Sequence, residues 1–168
     1  MKLPALSAAD FRRVMGQFAT GVTVLTVPDT NPGVARGMTA NSFASVSLKP
    51  PLVLACVDER ARILPLLHQS KRFGVSILTA EQQALSEYFA SGSQSAERAA
   101  RLGIRYRWTE TGIPLLEDTL AQLACHVRAG HKAGDHTIFV GEIEAASLQP
   151  GEPLLFFRGK YRSLSPGG

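Results

Sequence analysis

Short runs rich in β-branched and aromatic residues follow one another along this chain, mostly with turns between them, and that order limits the fold more than any other feature. Residues 21–27, 34–39, 52–57, 73–78, 121–128, 136–147 and 153–157 have the composition of strands. In 121–128, Ala121, Leu123, Cys125 and Val127 alternate with Gln122, Ala124, His126 and Arg128, the period of a half-buried strand. Parallel neighbours need a crossover of about a dozen residues or more, and most of these connections lack one. The expected fold is mainly β with peripheral helices, an antiparallel barrel. Ser7 and Asp10 open a first helix over 8–18, with Phe11, Val14, Met15 and Phe18 on one face. A second is expected over 60–69. Thr79 and Gln82 form a capping-box pair for a third, which reaches about residue 89. Residues 90–101, small, polar and charged, suit a surface connection with a short helix.

The 168 residues make a single domain by length, with a core at about 10–162 and a loose tail at 163–168. A chain of this size buries roughly 70% of its unfolded surface without disulfides or a structural metal. Lys and Arg exceed Asp and Glu by 18 to 14. The basic residues are scattered and no nucleic-acid recognition motif accompanies them, so the excess suits nucleotide phosphates or solubility. Cys56 and Cys125 lie singly in apolar runs and are expected to be buried free thiols. Residues 1–10 lack the pattern of a secretory signal, and no apolar stretch approaches membrane-spanning length. A reducing cytoplasm is the expected compartment.

Residues 37–57 carry the densest chemistry. Thr39, Asn41, Ser42, Ser45 and Ser47 bring hydroxyl and amide groups into a turn between strands, while Met38, Ala40 and Phe43 leave the backbone accessible. Rim donors and acceptors beside an apolar surface suit a flat heteroaromatic ligand. Gly134-Asp135-His136 falls at a hairpin tip and places an imidazole at a defined position. His131 and His136 without a third ligand make a poor metal site, and none is expected. Ser42 lacks a nucleophile elbow and a triad. No Gly-x-Gly-x-x-Gly opens a βαβ unit, which leaves a Rossmann nicotinamide site unsupported.

Five segments in order resemble the short-chain flavin reductase family over about residues 10–162: Phe18-Ala-Thr-Gly-Val-Thr-Val-Leu-Thr26; Gly37-Met-Thr-Ala-Asn-Ser-Phe-Ala-Ser-Val-Ser-Leu-Lys-Pro-Pro51; Phe73-Gly-Val-Ser-Ile-Leu78; Gly134-Asp-His136 with Ile138-Phe-Val-Gly-Glu142; and Pro153-Leu-Leu-Phe-Phe-Arg-Gly-Lys-Tyr161. The resemblance implies a split β-barrel of the FMN-binding type, usually a homodimer. It implies reduction of FMN or FAD by NADH or NADPH, with hydride passing from nicotinamide C4 to flavin N5. The product is often reduced flavin for a separate monooxygenase.

By position, the resemblance places Thr39, Ala40, Asn41, Ser42 and Phe43 at the isoalloxazine, with Ser45 and Ser47 continuing toward the ribityl chain. The stretch Cys56-Val57-Asp58-Glu-Arg60-Ala-Arg62 matches the place where the family holds flavin phosphate. Relatives often have hydroxyl residues at 60, 61 and 63, whereas this chain has Arg60, Ala61 and Ile63; guanidinium groups, which bind phosphate well, replace them. The resemblance assigns Asp135, His136, Arg158, Lys160 and Tyr161 to the nicotinamide nucleotide, His136 as the catalytic candidate. FMN and FAD stay open, as do NADH and NADPH. Two alternatives accompany it: a flavoprotein passing electrons to another acceptor such as a cobalt corrinoid, and a flavin- or haem-binding barrel without catalysis.

Overall fold

The computed structural model describes residues 5–164; residues 1–4 and the last four of the expected tail lie outside the described residues. In chain order the elements are α1 (Ala8–Met15), β1 (Thr20–Gly21), β2 (Thr23–Pro28), β3 (Ala35–Ala40), β4 (Phe43–Leu48), β5 (Pro51–Asp58), α2 (Leu64–Ser70), β6 (Arg72–Ile77), a 3-10 turn (Ala80–Gln82), α3 (Gln83–Ala90), α4 (Ala96–Arg101), β7 (Tyr106–Trp108), β8 (Pro114–Leu116), β9 (Ala121–Ala133), β10 (His136–Leu148), β11 (Leu155–Phe157) and β12 (Lys160–Arg162). One antiparallel sheet has the order β3-β2-β6-β9-β10-β5-β4, with β1, β11 and β12 in a smaller sheet and β7 paired to β8.

Burial alternates along β5, with Val53, Ala55 and Val57 pointing inward. They share one apolar cluster with Leu25 and Val27 of β2, Ala40 of β3, and Phe73 and Val75 of β6. Strands from both ends of the sheet order meet in that cluster, so the sheet curls around a common interior and forms a split barrel. Ile63, Leu64 and Leu67, in and before α2, join the same cluster. Val22 and Val24 face the other way, onto Leu78, Tyr88, Phe89, Leu116 and Leu154. Strand β2 is thus a wall between two cores, which explains why it is buried on both faces from Thr23 to Val27.

Several expectations need correction. Helix α1 ends at Met15, capped by Gly16, three residues before the expected limit. Its Ser7 cap is as expected, the hydroxyl accepting from Asp10 N at 3.1 Å. Phe11, Val14, Met15 and Phe18 are exposed rather than packed on the barrel. Residues 43–48, expected within a polar turn, form edge strand β4, bulged between Ser45 and Ser47 against β5. Helix α2 starts at Leu64 because Asp58 Oδ1 accepts from Arg60 N at 2.8 Å and holds residues 58–61 in a turn. The β9 strand runs on to Ala133, and Gln122 and Ala124 are buried on the face expected to meet solvent. Gln122 is accommodated there because it donates to Leu116 O and accepts from Ser147 Oγ at 2.9 Å. Cys125 is buried, and burial pushes its thiol up to about 12; Cys56 is only half-buried. The capping box is present, with Gln82 Oε1 accepting from Thr79 N at 3.0 Å.

Two glycines mark the tightest packing in the barrel. A Cβ on Gly141 would lie 2.5 Å from Phe73 Cζ, and one on Gly74 would lie 2.5 Å from Pro114 O. Gly141→Ala and Gly74→Ala are each expected to destabilise the fold by about 1–3 kcal/mol, the usual cost of overpacking. Gly21→Ala, where a Cβ meets nothing within 4 Å, is the control. Urea denaturation of the three variants checks this, and equal midpoints would contradict the packing described.

Candidate functional site

The β5–β10 ladder runs from Leu52 opposite Glu142 to Asp58 opposite His136, so the end of β5 lies beside the start of β10. Gly134 and Asp135 make the turn between β9 and β10; Gly134 has φ +66°, a conformation that suits glycine. Glu59 ties this tip to the turn after β5. Its N–H donates to Asp135 O at 2.9 Å, and its carboxylate accepts from Thr137 Oγ1 at 2.5 Å and lies 3.7 Å from Lys132 Nζ.

Charge is arranged in pairs at this junction. Arg60 donates from Nε and Nη2 to the two Asp58 oxygens, at 3.1 and 2.9 Å. Those bonds, with Arg60 N, hold the Asp58 carboxyl far below the usual carboxylate range, and His136 adds a smaller attraction. Asp135 Oδ1 sits 2.8 Å from His136 Nδ1, and that contact lowers the Asp135 pKa in turn. Asp135 is thereby placed to orient the imidazole.

Beside the junction opens a cleft of about 440 Å³. Met38 of β3, Ala61, Ile63 and Phe89 supply apolar surface, while Asp58, Arg60, Arg62 and Gln94 supply polar groups. Among the described residues Arg62 makes no ion pair, unlike Arg60 and Arg36, which Asp58 and Asp29 hold. An apolar wall with an uncommitted guanidinium at its rim fits a flavin nucleotide carrying a phosphate.

The other expected residues divide into groups. Thr39 adjoins the cleft-lining Met38, and its hydroxyl donates to Ser86 O at 2.7 Å. Ser86 Oγ in turn lies 2.9 Å from Tyr161 Oη. Tyr161 thus reaches the Thr39 strand through Ser86, with its ring half-buried at 67° to that of Phe156. Ala40 and Val57 are core residues whose backbone alone is available to a ligand. Ser42 and Cys56 are joined by two bonds, Cys56 N to Ser42 O at 3.0 Å and Ser42 Oγ to Cys56 O at 3.1 Å. Asn41 is exposed, Phe43 and Ser47 are half-buried and Ser45 is exposed on β4, outside this cleft. Arg158 is held at the turn that follows α1, its Nε donating to Gln17 Oε1 at 2.8 Å, and Lys160 is exposed on β12. The described residues contain no group of three or more metal-ligating side chains.

The far wall of the cleft, formed by Phe89, Ala90, Ser91, Gly92 and Gln94, was not foreseen from the sequence. The small residues after α3 were a signal, since close approach of chain to ligand favours them. Gln94 Nε2 donates to Gly37 O at 2.8 Å and ties this wall to β3.

Comparison with known proteins matches this architecture closely. The chain is 40% identical over 162 residues to an NADH-dependent flavin reductase of a Rhodococcus species, covering 96% of this chain and 89% of that protein. It is 40% identical over 159 residues to the HsaB reductase subunit of a flavin-dependent monooxygenase from Mycobacterium tuberculosis, covering 93% and 82%. Among solved structures, flavin reductase PheA2 in its native state superposes with a TM-score of 0.84 at 40% identity, covering 95% of this chain and 99% of that one. The model of the flavin reductase like domain matches residues 15–165, and the chain belongs to that family.

Proposed function

We propose that this chain is an NADH-dependent flavin reductase that delivers reduced flavin to a separate monooxygenase component. The observation that carries the reading is the junction at Asp58 and His136, where an apolar cleft with a spare guanidinium meets a hairpin tip bearing an oriented imidazole. Related proteins named as NADH-dependent reductases and as monooxygenase reductase subunits support the donor and the destination. We assign the whole chain, as one domain, to this role.

Bound flavin supplies an electron-accepting ring, and the chain's task is to hold donor and acceptor in contact, where correct orientation accounts for most of the rate. In this reading Arg62 takes the flavin phosphate and the backbone of 38–43 borders the ring. Asp135 engages His136 Nδ1, which leaves Nε2 to accept from the nicotinamide carboxamide. Asp58 prevents Arg60 from acting as a free cation, so Arg62 carries the phosphate contact more than Arg60 does.

The exposed apolar side chains of α1, with the exposed Val46, Leu48 and Leu148, support a homodimer, since large apolar residues left in solvent suit burial against a second copy. Unpaired Cys56 and Cys125 suit a reducing compartment, and we place the protein in the cytoplasm. Among the described residues no helix is long and apolar enough to cross a membrane.

NADH oxidation followed by absorbance is expected to depend on added flavin; a rate unchanged by micromolar FMN or FAD would sink the proposal. Arg62→Gln is expected to raise KM for flavin about tenfold with little change in kcat, the loss of one charge-assisted hydrogen bond. His136→Ala should raise KM for NADH while flavin affinity, read by fluorescence quenching, stays unchanged. Light scattering is expected to give twice the chain mass, and Phe18→Asp paired with Val14→Asp to shift the protein toward monomer.

A further inference from the structure

A second cavity, of about 360 Å³, lies next to the first and shares Gly37, Arg62, Ile63 and Gln94 with it. Its own walls are Asp29, Thr30 and Arg36 on one side and Pro65 and Leu66 on the other. With Arg62 and Gln94 in both linings, the two spaces form one groove around the Gln94–Gly37 hydrogen bond.

Arg62 and Arg36 both line the groove, so it offers a cation to more than one phosphate. Arg62, without an ion pair among the described residues, stands where the cavities meet. Arg36 belongs to the second cavity only, and Asp29 Oδ2 takes its Nε at 2.5 Å. Asp29 is fixed in turn by Asn31 N at 3.0 Å and Thr30 Oγ1 at 3.1 Å. That arrangement orients the guanidinium through Nε and leaves its terminal nitrogens without a hydrogen-bond partner among the described residues. Pro65, Leu66 and Ile63 offer an apolar surface on which a purine can lie.

A flavin mononucleotide ends at its single phosphate and has no use for an arginine and an apolar floor beyond it. We propose that the second cavity is an adenylate subsite, so that FAD is the preferred flavin: Arg62 and Arg36 meet its two phosphates in turn and the adenine rests against Pro65 and Leu66. The proposal builds on the flavin reductase reading and adds the choice of flavin.

The test compares FAD with FMN in the intact protein, by flavin fluorescence and by steady-state NADH oxidation. Thr30→Trp fills the second cavity from an exposed turn position, and Arg36→Gln removes the cation while keeping a donor for Asp29. Each is expected to raise KM and Kd for FAD about tenfold while the FMN values move less than about twofold. AMP is expected to displace FAD and to leave FMN bound. FAD and FMN weakening together, or neither weakening, with FMN turnover intact, overturns the adenylate subsite alone. Absence of turnover with both flavins in the unmodified protein overturns the reductase reading and the subsite with it.

Discussion

The pairing of β5 with β10 is the constraint on which both core and site rest. Side chains alternate along a strand, so a slip of one residue would turn Val53, Ala55 and Val57 from the barrel interior to its outside. The same slip would carry Asp58 away from His136. The register is secured at both levels, by apolar residues that have only one favourable side and by the Glu59 bonds across the tip. Because the tip belongs to the longest hairpin of the fold, tying it to the turn after β5 makes a rigid corner from segments far apart in sequence.

The turn after β5 shows how local chemistry overrides composition. Asp58 accepts three bonds from Arg60, and the backbone there cannot enter α2 until Leu64. One consequence is electrostatic. Two neighbouring arginines that look alike in sequence differ in availability, Arg60 being neutralised by its own turn and Arg62 remaining open to the cleft. Phosphate recognition in this chain therefore depends on which guanidinium the fold has already engaged, more than on how many basic residues the segment holds.

Much of the barrel was legible because β-branched runs, turn residues and capping pairs act locally. The β9–β10 hairpin, the β6 strand and the Thr79–Gln82 box all appear where their residues point. What was not legible depends on distant partners. Gln122 has the look of a solvent-facing residue, and only Leu116 and Ser147, brought in from other segments, make its burial tolerable. Strand β4 was masked by its serines, which are weak strand formers that β5 recruits through the ladder. Within the site, the hairpin histidine and the 58–62 turn were visible, whereas the wall from Phe89 to Gln94 was not, because its relation to β3 is set by tertiary packing.

The depth of Cys125 has a chemical consequence for a protein of this kind. Stray electrons from a reduced flavin convert dioxygen to peroxide, and peroxide attacks thiolates in preference to thiols. A fully buried sulfur in the core cluster of Phe73, kept protonated by its apolar surroundings, offers neither the access nor the charge that sulfenic acid formation requires. The barrel interior thus carries a cysteine through oxidative turnover as an inert filler of volume.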